Sequence, residues 1–201
     1  MKAVGNLPEG YVKIYTVDLE KDKKTALLVN VLAAVIAALM TVSMHFVVPF
    51  SLFNMENGMG EYAIRLGIVL VLTIAYVILH ELIHGIAMKL CGTKKVKYGF
   101  TGMYAFAGSE DYYDKKSYIF IALAPIVFWG IVLGIVNFIV PIEWFWVVYL
   151  IQIFNLSGAA GDLFVTVKFS RLPKDILVKD YGVGMTVFSR ENADFHNAAH
   201  S

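Results

Sequence analysis

Charge is what this sequence has least of. Only 16% of its 201 residues are Asp, Glu, Lys or Arg, against about a quarter in ordinary soluble domains. The 17 basic and 16 acidic residues nearly cancel, to a net +1, so the chain lacks the basic bias of a nucleic-acid binder and no nucleic-acid partner is expected. Cysteine is almost absent as well. Cys91 stands alone, which excludes an intramolecular disulfide and any CxxC redox or zinc-knuckle motif. Internal repeats and low-complexity tracts are missing, which argues against solenoids and flexible arrays. What fills the space is apolar: 58% of residues are hydrophobic and the mean hydropathy is +0.66. That composition belongs to a membrane protein, with the lipid bilayer as its surroundings.

The apolar residues fall into four runs, at about 25–48, 62–90, 117–140 and 144–169. Each is long enough to cross a hydrocarbon core of about 30 Å at about 1.5 Å per residue. The first begins after a polar leader and is too long for a signal-peptide core, so it is expected to stay as a membrane helix. Pro125 interrupts the third run. A proline is tolerable there when a neighbour satisfies the carbonyl it frees.

Charge between the runs is one-sided. Residues 1–24 end in Lys21, Lys23 and Lys24, the loop after the second run holds Lys94, Lys95, Lys97, Lys115 and Lys116, and the segment from Ser170 holds Arg171, Lys174, Lys179 and Arg190. The segment Phe50–Glu61, with Asn54, Glu56 and Asn57, and the turn Pro141–Glu143 carry no Lys or Arg. The positive-inside rule then places both termini in the cytoplasm of a multi-pass cell-membrane protein. Between the second and third runs, Val96, Tyr98 and Phe100 alternate, and Met103–Ala107 follows the Thr101-Gly102 break, the pattern of a hairpin. The expected fold is an all-α membrane protein: four transmembrane helices with a small β-hairpin between the second and third. A polar segment 1–24 precedes the helical domain 25–169, and 170–201 forms a cytoplasmic tail in which His196 and His200 are solvated. Tyr11–Val17 alternates weakly, as a short strand or interfacial piece does.

Inside the second run lies His80-Glu81-Leu82-Ile83-His84, an HExxH motif. On a helix Glu81 is about 100° and His84 about 40° around from His80, so the three share a face. Two imidazoles four residues apart can grip one Zn²⁺ while the glutamate handles the proton of a water. Ionisable groups at membrane depth are costly and mark functional sites.

A zinc that does chemistry needs a third protein ligand. Asp162 and His45 are the candidates. Depth favours Asp162, which follows Trp144 by as many residues as His80 follows Tyr62, on helices running in the same direction. His45 lies toward the opposite end of its run and reads as an interfacial histidine. Ser157 to Gly161 is an unbroken run of small side chains that lets helices approach closely. Asn155 falls within about 20° of Asp162 on the helical wheel, placed either to orient a ligand or to hold substrate backbone. A carboxylate with two neutral imidazoles also suits zinc electrostatically, whereas a lone Asp162 in lipid would be an uncompensated anion, or a partner for Lys168.

With the HExxH helix, the glycine-rich hairpin, Ala124-Pro125 and the stretch Asn155-Leu-Ser-Gly-Ala-Ala-Gly-Asp162-Leu163, the chain resembles the site-2 protease class of intramembrane zinc metalloproteases. More closely, from Thr25 to about Phe188, it resembles the zincin-peptidase family of small prokaryotic four-helix membrane proteins. It departs from the site-2 pattern in reading Gly161-Asp162-Leu163 where that class has Leu-Asp-Gly, and in having Leu156 where a proline usually follows the asparagine. The resemblance implies one Zn²⁺ on His80, His84 and Asp162, Glu81 as catalytic acid and base, Asn155 binding substrate, and a membrane protein or peptide as substrate. The alternative, from a different class, is a noncatalytic protein in which zinc ties the second and fourth helices together.

Overall fold

Each helix starts where the sequence offers a cap or a break. Residues 3–18, 20–52, 58–102, 104–182 and 184–190 are described by the structure, a computed structural model. Helix α1 (Lys23–His45) begins at Asp22, whose carboxylate accepts the Lys24 and Thr25 N–H groups at 3.1 Å, satisfying donors left over by the first turn. Helix α2 (Met59–Leu90) follows Gly58. Helix α3 (Lys115–Ile139) is capped by Asp114, which accepts from Ser117 N–H at 2.8 Å, and it ends just ahead of Pro141. A 3₁₀ turn at Ile142–Trp144 leads into α4 (Phe145–Gly158) and α5 (Ala160–Ser170). Four helical stretches, Lys23–His45, Met59–Leu90, Lys115–Ile139 and Ile142–Ser170, are long and apolar enough to cross a membrane. Their outward side chains agree with that: Leu27, Leu70 and Phe138 are 65%, 62% and 91% exposed, compatible with a multi-pass membrane protein.

The chain is mostly helical, as expected, and two features go beyond the expected four helices and hairpin. The first is a four-stranded antiparallel sheet, in the order β1-β6-β5-β4, built from β1 (Tyr11–Asp18), β4 (Tyr112–Asp114), β5 (Leu177–Asp180) and β6 (Gly184–Arg190). The segments on either side of the helices therefore pair with each other, Tyr11 opposite Arg190 and Asp18 opposite Gly184. Pairing between the two ends of a chain leaves no local periodicity beyond what each short strand shows, so the weak alternation at Tyr11–Val17 is all the sequence displays of it. The second is that the fourth apolar run is two helices. The chain pauses at Ala159 (φ −87°, ψ 19°) before α5 begins, which puts Asp162 in the first turn of a helix rather than the interior of one.

Strands β2 (Lys97–Phe100) and β3 (Ala105–Gly108) form a separate antiparallel pair in the connection between α2 and α3. Asn54, Glu56 and Asn57, Met103, and His196 and His200 lie outside the described residues.

The sheet caps one end of the bundle, because β1 runs directly into α1, β4 into α3, and α5 out to β5. Lysines at the helix ends, Lys23, Lys89 and Lys115, gather at this same end. A core of Ala87, Met88, Tyr118, Ile121, Val165 and Phe169 from the helices packs on Val17, Val178 and Val187 of the strands. A second cluster around Leu52, Trp146, Val147, Tyr149 and Ile153 closes the other end. His45 belongs to that far end, where its Nδ1 accepts the Phe50 N–H at 3.1 Å. It is not among the residues at the metal centre.

Candidate metal centre

Helix α2 carries Tyr76, His80 and His84 at intervals of four residues, so they form one stripe along its inner face. All three are buried. Asp162 comes to meet them from the first turn of α5. Its Oδ2 lies 3.5 Å from His80 Nε2 and 3.6 Å from His84 Nε2. Among the described residues these three form the one group of His, Cys, Asp or Glu able to share a metal ion, with ligand atoms all within 4.8 Å of one another.

The spacing can be tested against zinc chemistry. With zinc–nitrogen and zinc–oxygen bonds of about 2.0–2.1 Å, the edge of a ligand tetrahedron is about 3.4 Å. The two Asp162 distances match that edge, and two imidazoles with one carboxylate form a donor set typical of zinc. The residues present therefore fit the ion.

Each histidine is held through its other nitrogen. Tyr76 Oη lies 2.8 Å from His80 Nδ1 and donates its proton to Asn155 Oδ1 at 3.0 Å. With that proton committed, the Tyr76 oxygen accepts from His80 Nδ1–H, and the lone pair of His80 is left on Nε2, facing Asp162. His84 Nδ1 lies 3.0 Å from the Ile121 carbonyl, which can only accept. His84 is thus also the Nδ1–H tautomer with Nε2 free. Partners of this kind fix both ring orientation and basicity of a metal-binding histidine.

Asn155 is fully buried, with Oδ1 taken by Tyr76 and Nδ2 donating to Ile126 O at 3.1 Å. Of the two placements its sequence position allowed, this contact set matches the one that orients a ligand. Lys168 does not pair with Asp162; its ammonium bonds the Tyr15 hydroxyl and lies 3.7 Å from that ring's centroid.

Glu81 sits one position round the helix and shares a cavity wall with Ala107 of β3. Thr101 N–H donates to Tyr104 O at 2.9 Å, and bonded pairs alternate along an antiparallel ladder. Ala105 and Ala107 therefore turn their main-chain groups away from β2. The Tyr98 ring of β2 lies over Gly85, where a Cβ would stand 1.9 Å from its hydroxyl.

The site opens into a cavity of about 430 Å³ lined by His80, Glu81, His84, Asp162, Tyr118, Asp180 and the strand Ala105–Ala107. A second, almost wholly apolar cavity of about 540 Å³ runs between the outer face of α2 and the β2–β3 pair and shares Glu81. Asp180, on β5, is a wall residue that the sequence did not reveal. Its Oδ2 accepts from Tyr118 Oη at 3.1 Å and its Oδ1 from Gly182 N–H at 2.8 Å. Burial pushes its carboxyl up to about 6, against the Gly182 hydrogen bond and nearby His84. Tyr76 also escaped notice, although its position four residues before His80 was a usable signal.

Similarity to known proteins agrees with this picture at a coarse level. The chain is 33% identical over 132 residues to an "Uncharacterized 24.7 kDa protein in gap 5'region" of Pyrococcus woesei, an alignment covering 61% of this chain and 53% of that protein. It thus spans about half the length of that curated relative. No solved structure matches it. A family profile described as "Putative zincin peptidase" matches residues 73–177, a stretch that begins just before the His80 helix segment and runs past Asp162. The chain belongs to that zincin peptidase family.

Proposed function

We propose that the protein is a membrane-embedded zinc metallopeptidase that hydrolyses peptide bonds of membrane-associated substrates. One observation carries the reading: three metal-type donors, with Asp162 at about a zinc-tetrahedron edge from each histidine, share a cavity wall with the carboxylate of Glu81.

His80, His84 and Asp162 would hold the ion. When bound, the ion would supply Lewis-acid chemistry, polarising a carbonyl and lowering the pKa of a water. Glu81 receives the water's proton on its carboxylate and returns it to the leaving amine. An extended peptide can add to the open edge of β3, where Ala105 offers main-chain groups beside the site. Substrate held there is kept from bulk water by the sheet that closes the end of the bundle. The cavity favours catalysis over a purely structural zinc, since structural sites are closed by a fourth ligand. The lysine-bearing sheet end would face the cytoplasm, with both termini there.

The test is a Glu81→Gln variant of the purified full chain. It should keep its zinc and lose cleavage of a membrane-peptide substrate. Cleavage at the wild-type rate would end the proposed role of Glu81.

A further inference from the structure

Pro125 lies inside α3 and has no N–H to give the carbonyl four residues back along the helix. That carbonyl belongs to Ile121, a residue only 2% exposed. An orphaned acceptor at such a place needs a partner. The partner is His84, whose Nδ1 stands 3.0 Å from Ile121 O.

We propose that Pro125 is a positioning residue for the metal centre. By withholding a helix hydrogen bond it leaves the Ile121 carbonyl open to His84, which is thereby fixed as the Nδ1–H tautomer with Nε2 turned to Asp162. This rests on the reading of His80, His84 and Asp162 as a zinc site. The two histidines are then held by different means: His80 by the side chains of Tyr76 and Asn155, and His84 by a main-chain gap in a neighbouring helix. Any other residue at 125 would send its own N–H toward Ile121 O and compete with the imidazole for the same acceptor. Pro125 is itself fully buried, so it touches neither substrate nor solvent and acts only through the carbonyl it frees.

The experiment compares wild type, Pro125→Ala and Pro125→Val as detergent-solubilised full chains. Both variants restore the N–H, while the valine keeps more of the side-chain volume. Two quantities are read: the His84 Nδ1–H hydrogen bond, from that proton's shift and exchange protection in metal-free and zinc-loaded protein, and zinc affinity, by competition with a chromophoric chelator. Wild type should show a protected, hydrogen-bonded Nδ1–H at His84. Both variants should show that proton shifted and exchanging faster, with His80 unchanged, and zinc binding weaker by about 10–100-fold, the usual cost of losing an outer partner. Melting of the metal-free variants should be no lower than wild type, since a helix hydrogen bond is gained. A valine variant with the wild-type Nδ1–H hydrogen bond and affinity overturns the proposal, as does an alanine variant whose weaker binding merely follows a lower melting temperature. Should the alanine variant not fold, the valine variant decides. Wild type that keeps the Nδ1–H hydrogen bond yet binds no zinc would instead remove the zinc site and leave the Pro125–His84 relation standing.

Discussion

Tyr76 and Asn155 meet through a single buried hydrogen bond, 3.0 Å long, joining two helices directly behind the His80 ring. The contact uses up the Tyr76 proton and so decides which nitrogen of His80 faces the cavity. Replacing Tyr76 by Phe removes that control and strips Asn155 Oδ1 of its donor. Zinc affinity should fall about 10–100-fold, and the unpaired buried amide oxygen should cost about 1–3 kcal/mol of stability. Calorimetric zinc titration and thermal melting of the same preparation separate the two effects.

Glycines 85 and 108 make opposite predictions. A Cβ on Gly108 would lie 2.5 Å from Tyr181 C and 2.6 Å from Gly182 N, both main-chain atoms with nowhere to go. Gly108→Ala should therefore pry β3 from the β5–β6 connection at a cost of about 1–3 kcal/mol, seen as faster amide exchange across Ala105–Gly108. At Gly85 the obstacle is only the far end of the Tyr98 side chain, which can swing aside. Gly85→Ala should leave the melting temperature near wild type or above it, because alanine is the better helix former by about 1 kcal/mol.

Glu110 ties the β2–β3 pair to the sheet, reaching Lys97 at 2.7 Å and Lys179 at 2.8 Å. Its hydrogen bonds to Lys179 and then Lys97 hold its carboxyl down to about 2. A carboxyl lowered by folding binds fewer protons folded than unfolded, so its contribution is complete above the ordinary value of 4.5 and is lost as pH falls from there through about 2. The pair is exposed, and salt should weaken it. Amide protection factors in β2, taken relative to intrinsic exchange at each pH, should fall below pH 4.5 in wild type but not in Glu110→Gln, with the difference between them shrinking at high salt.

The depth match between His80 and Asp162 was legible because helical rise is fixed: equal residue counts from two interfacial starts end at equal levels. The run of small residues from Ser157 to Gly161 did not reveal the pause at Ala159, which depends on backbone angles no composition specifies. The helical wheel set Asn155 near Asp162 on one continuous helix, but its partners, Tyr76 and Ile126, come from two other helices and only the packed structure supplies them. The same holds for Pro125, whose need for a substitute donor is plain in the sequence while the donor is not. Asp180 was invisible, since its strand reaches the cavity only once β1 and β6 have paired across nearly the whole chain. Even the hairpin glycines explain themselves only through neighbours such as Tyr98, Tyr181 and Phe106.

The account stands on Asp162 joining His80 and His84 at one ion, and metal content tests this most directly. Zinc per chain, measured by mass spectrometry on purified wild type, Glu81→Gln and Asp162→Ala, should be stoichiometric in the first two and near zero in the third. Stoichiometric zinc in Asp162→Ala would contradict the proposed centre.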